Sequence, residues 1–313
     1  MEDRAPIEPR VRVAPAAPTV SAQETPQPDQ TDAAITVGTS ATDDLSVPAT
    51  TEVDTDWWLV ATLLVGALAA SLSVVPYLLE LLEAAGDRVV VWEFTLQSTA
   101  ERMTMVAASI VVGLTKGPKV GLGLRLLGKV DPALGEWRER AWGTFKSATL
   151  AGCAIGAFLL LVQPLCEALM PPLPDAALKA EEATRTMSMW KPALASMSAG
   201  VIEELLFRFG AMTLVLTWIM RALRSTTPTS SAVWLANLTA AFAFATLHIG
   251  NALALQIPIT LGLLTNIYLV NGVAGIVLGW LYWRRGLEAA ILAHAMANLA
   301  DKVLSPLVSG MTQ

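Results

Sequence analysis

Seven stretches of the chain are predominantly apolar over lengths that suit a bilayer, and polar or charged residues separate them. They run at about 57–82, 98–115, 147–170, 193–220, 232–257, 259–283 and 287–308. The hydrocarbon core takes about 20 apolar residues as an α-helix, which satisfies every backbone hydrogen bond within the segment. The pattern therefore predicts an all-α, polytopic transmembrane helical bundle of about 7–8 spans, the eighth arising if 252–283 breaks at Asn266 or Asn271-Gly272. Trp57 and Trp58 open the first span, where tryptophans sit well at the membrane interface.

Between the spans the sequence is uneven. Residues 1–55 are acidic and rich in Pro, Thr, Ala and Asp, without apolar periodicity, and read as a disordered tail. Residues 56–190 read as N-terminal transmembrane helices with a basic interfacial loop, Lys116 to Lys146, which holds seven Lys/Arg. Within that loop Val120-Gly-Leu-Gly-Leu-Arg-Leu-Leu-Gly128 suggests an amphipathic interfacial helix, and 173–191 reads as a polar segment. With the N-terminus cytoplasmic, the inside loops collect eleven Lys/Arg and the outside loops four, so the positive-inside rule places the N-terminus inside.

Composition narrows the class. Of 313 residues 54% are hydrophobic and 15% charged, which excludes an ordinary soluble globule in favour of an integral membrane protein among lipids. The net charge of −6 argues against a nucleic-acid partner. Cys153 and Cys166 share one apolar run and form no disulfide framework or metal-binding CxxC pair.

Charge within the spans carries the chemistry. Glu203, Glu204 and Arg208 lie inside the apolar run from Ala193 to Met220. A charged side chain near the bilayer centre costs about 2.5–3.5 kcal/mol on insertion scales, so such groups face protein or a wet cavity. Glu204 and Arg208, at i and i+4, can neutralise each other on one helix face. Glu203, about 100° round the helix, has no local partner. The two histidines of the chain, His248 and His294, also fall inside spans, and Asn298 shares a helix face with His294. Asp301 lies in the same last span. A pocket between helices would collect an unpaired carboxylate, two imidazoles and a carboxamide.

That set supports more than one chemistry. A carboxylate withdrawn from bulk water can act as a general base on a water molecule, while imidazole and amide N–H groups stabilise a developing oxyanion. Equally, Glu203, His248 and His294 are candidate ligands for Zn²⁺ with an open water position. Intramembrane ionisable groups also serve as proton or ion relays in transporters, although no internal repeat of the transporter kind is present. A non-catalytic membrane scaffold is a further reading.

The motifs Glu203-Glu204-xxx-Arg208, Phe244-xxx-His248 and His294-xxx-Asn298, in this order on separate spans, resemble those of the CAAX protease and bacteriocin-processing (Abi) intramembrane endopeptidases. The stretch Gly279-Trp-Leu-Tyr-Trp-Arg-Arg-Gly286 resembles that family's link between its last core helices, and the likeness covers about residues 190–305. The resemblance implies a four-helix catalytic core over 191–309. In it Glu203 acts as general base, His248 shares the attacking water, His294 and Asn298 form the oxyanion hole, and Glu204 and Arg208 assist. It implies a peptide or protein substrate, in some members lipidated, and a bacterial plasma-membrane location. It leaves open a glutamate mechanism without cofactor or a zinc-dependent one; no HExxH helix pair is present.

Overall fold

The computed structural model describes residues 56–86, 88–127 and 134–304, and the expected N-terminal tail lies outside them. All regular structure among the described residues is helical. In chain order the α-helices are α1 (Trp57–Ser73), α2 (Val75–Ala85), α3 (Val91–Lys116), α4 (Leu134–Glu167), α5 (Asp175–Thr186), α6 (Trp190–Glu204), α7 (Thr213–Ala222), α8 (Ser230–Ala254), α9 (Leu261–Ile267), α10 (Val273–Arg285) and α11 (Leu287–Leu299). Wide π turns join α6 to α7 (Leu205–Met212) and α9 to α10 (Tyr268–Gly272), and extend α11 (Ala300–Leu304).

Four helical stretches are long and apolar enough to cross a membrane: Trp57–Ala85, Glu136–Cys166, Ser230–Ala254 and Leu261–Arg285. The helices α3 and α6–α7 occupy two of the other expected spans but carry charge within them, at Glu101 and Arg102 and at Glu203, Glu204 and Arg208. Large apolar side chains such as Leu150, Leu161, Leu165, Leu235 and Phe242 point outward, as a lipid surroundings requires and water would penalise.

Close approach of helices depends on small residues. Where lipid tails are as apolar as leucine, helices associate through close van der Waals packing. A Cβ on Gly152 of α4 would meet the Ala293 carbonyl oxygen and Met296 Cβ of α11, each at 2.8 Å. One on Gly200 of α6 would meet the Ile291 oxygen at 2.8 Å and Ala295 Cβ at 3.0 Å. The alanine-rich face of α11 (Ala289, Ala290, Ala293, Ala297) is fully buried, which makes α11 the central helix that α4 and α6 clasp.

Three sequence expectations change. The stretch 120–127 is not an amphipathic helix: a single 3₁₀ turn (Gly117–Val120) leads into an irregular loop with φ of 71° at Gly121 and 154° at Gly123. Its backbone N–H groups at Arg125, Leu126 and Leu127 donate to the Glu288 carboxylate at 2.8–3.0 Å, so tertiary hydrogen bonds replace helical ones. The polar segment 173–191 contains α5, in which Arg185 pairs with Glu181 one turn away. The run 252–283, open to a break at Asn266 or Asn271-Gly272, breaks at neither, since α9 runs through Asn266. A π turn absorbs the irregularity at Asn271-Gly272, and the Asn271 amide donates to the Ile267 carbonyl at 3.2 Å.

Candidate active site

The site residues come from α6 and its π turn, α8 and α11, with a backbone group from α10. Glu203 and Glu204 are the last two residues of α6, and Arg208 follows in the π turn. Glu204 and Arg208 are buried, at 0% and 1% exposure. Arg208 Nη1 donates to Glu204 Oε1 at 2.8 Å, its Nη2 donates to the Gly275 carbonyl of α10 at 2.9 Å, and the guanidinium lies 4.8 Å from the Phe244 ring centre. The i, i+4 pair read from the sequence is present. The Gly275 carbonyl and the Phe244 face complete the cation's surroundings in place of water.

His294 joins this pair from α11. It is 5% exposed, and its Nδ1 lies 2.7 Å from Glu204 Oε1. The acceptor is a carboxylate, so Nδ1 carries the proton and donates, and this bond fixes the orientation of the ring. The other nitrogen, Nε2, faces Glu203 Oε2 at 3.6 Å, longer than a direct hydrogen bond. The Glu203 side chain is 26% exposed, while Glu204 Oε2 is buried without a hydrogen-bond partner among the described residues. The two adjacent carboxylates thus differ in kind: Glu204 is locked into the protein, and Glu203 stands at the edge of accessible space.

His248 reaches the same place through an aromatic ring. Phe244 packs edge-to-face with His248 at 4.9 Å and with His294 at 5.8 Å between ring centres, and with Phe207 at 5.3 Å. One phenyl ring therefore sets both imidazoles, one turn apart from His248 on α8. The Nδ1 of His248 lies 3.0 Å from the Phe244 carbonyl oxygen. It must donate there, which leaves Nε2 as an acceptor able to take a proton. No ion pair joins His248 to a carboxylate among the described residues, so the structure gathers Glu203, Glu204, Arg208 and His294 directly and His248 by way of Phe244. Asn298, half-buried, lies one turn beyond His294 on α11.

Residues 185–300 match the family model described as type II CAAX prenyl endopeptidase Rce1-like. Over this stretch the chain is similar to the CAAX endopeptidase family. The matched stretch contains all six residues above and leaves α1 to α4 outside it. No curated protein and no solved structure matches the chain.

The matched segment brings in residues that sequence patterns did not single out. Gly275 supplies a carbonyl to Arg208, and a Cβ there would come within 3.0 Å of Ala241 Cβ and 3.3 Å of Phe244 Cδ1. Gly200, one turn before Glu203 and Glu204, sets how near α6 and α11 come. Behind the site Tyr282 and Thr213 share a buried hydroxyl hydrogen bond of 2.9 Å that ties α10 to α7. Spacing hints at these glycines only as small residues within apolar runs, because the groups they admit lie on other helices. The candidate zinc ligands Glu203, His248 and His294 do not form a ligand cluster. No group of three or more His, Cys, Asp or Glu side chains among the described residues is disposed to hold a metal ion.

Proposed function

We propose that this chain is an intramembrane endopeptidase in which Glu203 activates the attacking water and His294 with Asn298 stabilises the oxyanion. The observation that carries the reading is the division of labour between the neighbouring glutamates. Glu204 holds Arg208 and His294 in place, while Glu203 keeps a partly exposed carboxylate beside the Nε2 of that fixed ring. A base must reach water, and an oxyanion donor must be preorganised. The sequence supplies one group for each need.

In this mechanism Glu203 removes a proton from water as the oxygen attacks the scissile carbonyl carbon, and His248 Nε2 accepts a hydrogen bond from the same water. The carbonyl oxygen gains charge and is met by His294 Nε2–H and the Asn298 amide. For Nε2 to donate, His294 must carry protons on both nitrogens. Glu203 and Glu204 then balance Arg208 and His294, leaving the buried set with no net charge, as a low-dielectric site favours. Collapse of the adduct passes the proton from Glu203 to the leaving amine. The substrate class we infer is a lipidated CAAX-type peptide at a plasma membrane, supported by the family description of the matched segment. No step in this scheme passes through a metal.

The test uses the purified full chain in detergent with prenylated and unprenylated peptides ending in a CAAX sequence. Cleavage of the prenylated peptide that survives prolonged chelation and disappears in Glu203→Ala supports the reading. Loss on chelation with recovery on adding Zn²⁺ would replace the glutamate mechanism, and substrate-independent proton flux in liposomes without cleavage would replace the enzyme.

A further inference from the structure

The membrane-interface end of α11, remote from Asn298, borders an open cavity of about 880 Å³ lined also by α4 and the loop after α3. Its walls are apolar and aromatic, with Leu126, Trp142, Phe145 and Leu292, and Arg138 and Glu139 stand among them. Trp142 and Phe145 stack 5.6 Å apart and both stay largely exposed, at 56% and 46%, and Lys146 Nζ lies 5.0 Å over the Trp142 ring. Glu288 also lines the cavity, but its carboxylate is taken up by the three backbone N–H groups of the loop.

Charge and aromatic placement say what this cavity suits. Around the ends of α3, α4, α7, α10 and α11 on this side, Lys116, Lys119, Arg125, Arg138, Arg140, Lys146, Arg221, Arg224, Arg284 and Arg285 face three carboxylates, Glu136, Glu139 and Glu288. Glu136 is paired with Arg140 and Glu288 is occupied by the loop, so the surplus is cationic. Eight of the ten tryptophans lie in the helix halves nearest this side: Trp57, Trp58, Trp137, Trp142, Trp218, Trp234, Trp280 and Trp283. Such a belt marks the headgroup level, where basic pockets between helices bind anionic headgroups.

We propose that the α4–α11 cavity binds an anionic phospholipid, with an acyl chain along Trp142, Phe145 and Leu292 and the headgroup phosphate between Arg138 and Lys146. The site is separate from the Glu203–His294 cluster and does not depend on the endopeptidase reading. An apolar wall alone would accept any lipid. The two cations, one on the cavity lining and one over its tryptophan, supply the preference for negative charge.

The experiment reconstitutes the full chain in phosphatidylcholine vesicles containing a small share of brominated phosphatidylglycerol or, in parallel, brominated phosphatidylcholine. Bromine on an acyl chain quenches nearby tryptophan, and the difference between the native chain and Trp142→Phe isolates the Trp142 signal. Saturable quenching by the anionic lipid, exceeding that by phosphatidylcholine at equal mole fraction, is expected. Arg138→Gln and Lys146→Gln should each lower that preference about fivefold, the effect of about one cation at a membrane surface. Raising salt with the unaltered protein should lower it as well, which tests the charge argument even if a variant fails to fold. Equal quenching by both lipids would overturn the proposal. So would quenching by neither, which would mean that protein fills the cavity.

Discussion

His294 Nδ1 lies 2.7 Å from Glu204 Oε1, the same oxygen that accepts Arg208 Nη1 at 2.8 Å. One buried carboxylate oxygen thus holds a cation from its own helix and an imidazole from α11. Removing it strands Arg208, and breaking a buried pair from one side costs about 3–5 kcal/mol because the remaining charge is uncompensated. Glu204→Ala should lose about that much stability, whereas Glu204→Leu combined with Arg208→Met should recover most of it. Unfolding midpoints of Glu204→Ala, of Arg208→Met alone and of the double variant in detergent check this. Losses that simply add would show that the two side chains act independently.

Glu203 should behave differently although it is the adjacent residue. It is partly exposed, and the His294 Nε2 beside it is beyond hydrogen-bond distance. Glu203→Gln keeps the size and removes the base, so peptide cleavage should fall about 10²- to 10⁴-fold, with the unfolding midpoint unchanged. Stopped cleavage assays beside thermal unfolding separate the two glutamates. A Glu203 variant that unfolds as readily as the Glu204 one would mean that both are structural.

How much of this the chain discloses depends on whether the partner lies on the same helix. Charges in an apolar run stand out, so Glu203, Glu204, Arg208 and both histidines were legible, as was the i, i+4 pairing of Glu204 with Arg208. The helix positions followed from the apolar runs for the same reason. The bond from His294 to Glu204 was not legible: adjacent glutamates point about 100° apart, and which one meets α11 is decided by the close packing at Gly200. The Gly275 carbonyl leaves no trace in side-chain chemistry, since every residue but for its position offers the same acceptor. The loop at 121–127 misled because its leucines suggested an apolar face, while its conformation is set by Glu288, more than 160 residues away.

The packing at Gly200 can be tested directly. A methyl group there would press on the Ile291 carbonyl and Ala295 at 2.8 and 3.0 Å, one turn from His294. Overpacking of this kind costs about 1–3 kcal/mol, and the relief available is for α11 to move away from α6. Gly200→Ala should therefore lower stability, and Gly200→Val should lower it further and reduce cleavage, since His294 would leave Glu204. Native-like activity in Gly200→Val would show that the α6–α11 distance is not what holds the ring.

On the far side of the site the Tyr282–Thr213 hydroxyl pair is buried, and its link to the site is the Thr213 hydroxyl donating to the Arg208 backbone carbonyl at 3.2 Å. Interhelical hydrogen bonds in membrane proteins average about 0.6 kcal/mol, because the unfolded chain in the bilayer also finds partners. Tyr282→Phe should cost about that amount and leave cleavage rates alone. Asn298→Ala, at the half-buried position one turn beyond His294, should do the reverse. Loss of one oxyanion donor lowers kcat about 10²- to 10³-fold, with KM and the unfolding midpoint little changed. Measuring kcat, KM and unfolding for both variants distinguishes a donor acting in the transition state from a residue that only supports the bundle. If Asn298→Ala raised KM at constant kcat, the amide would be binding substrate rather than stabilising charge.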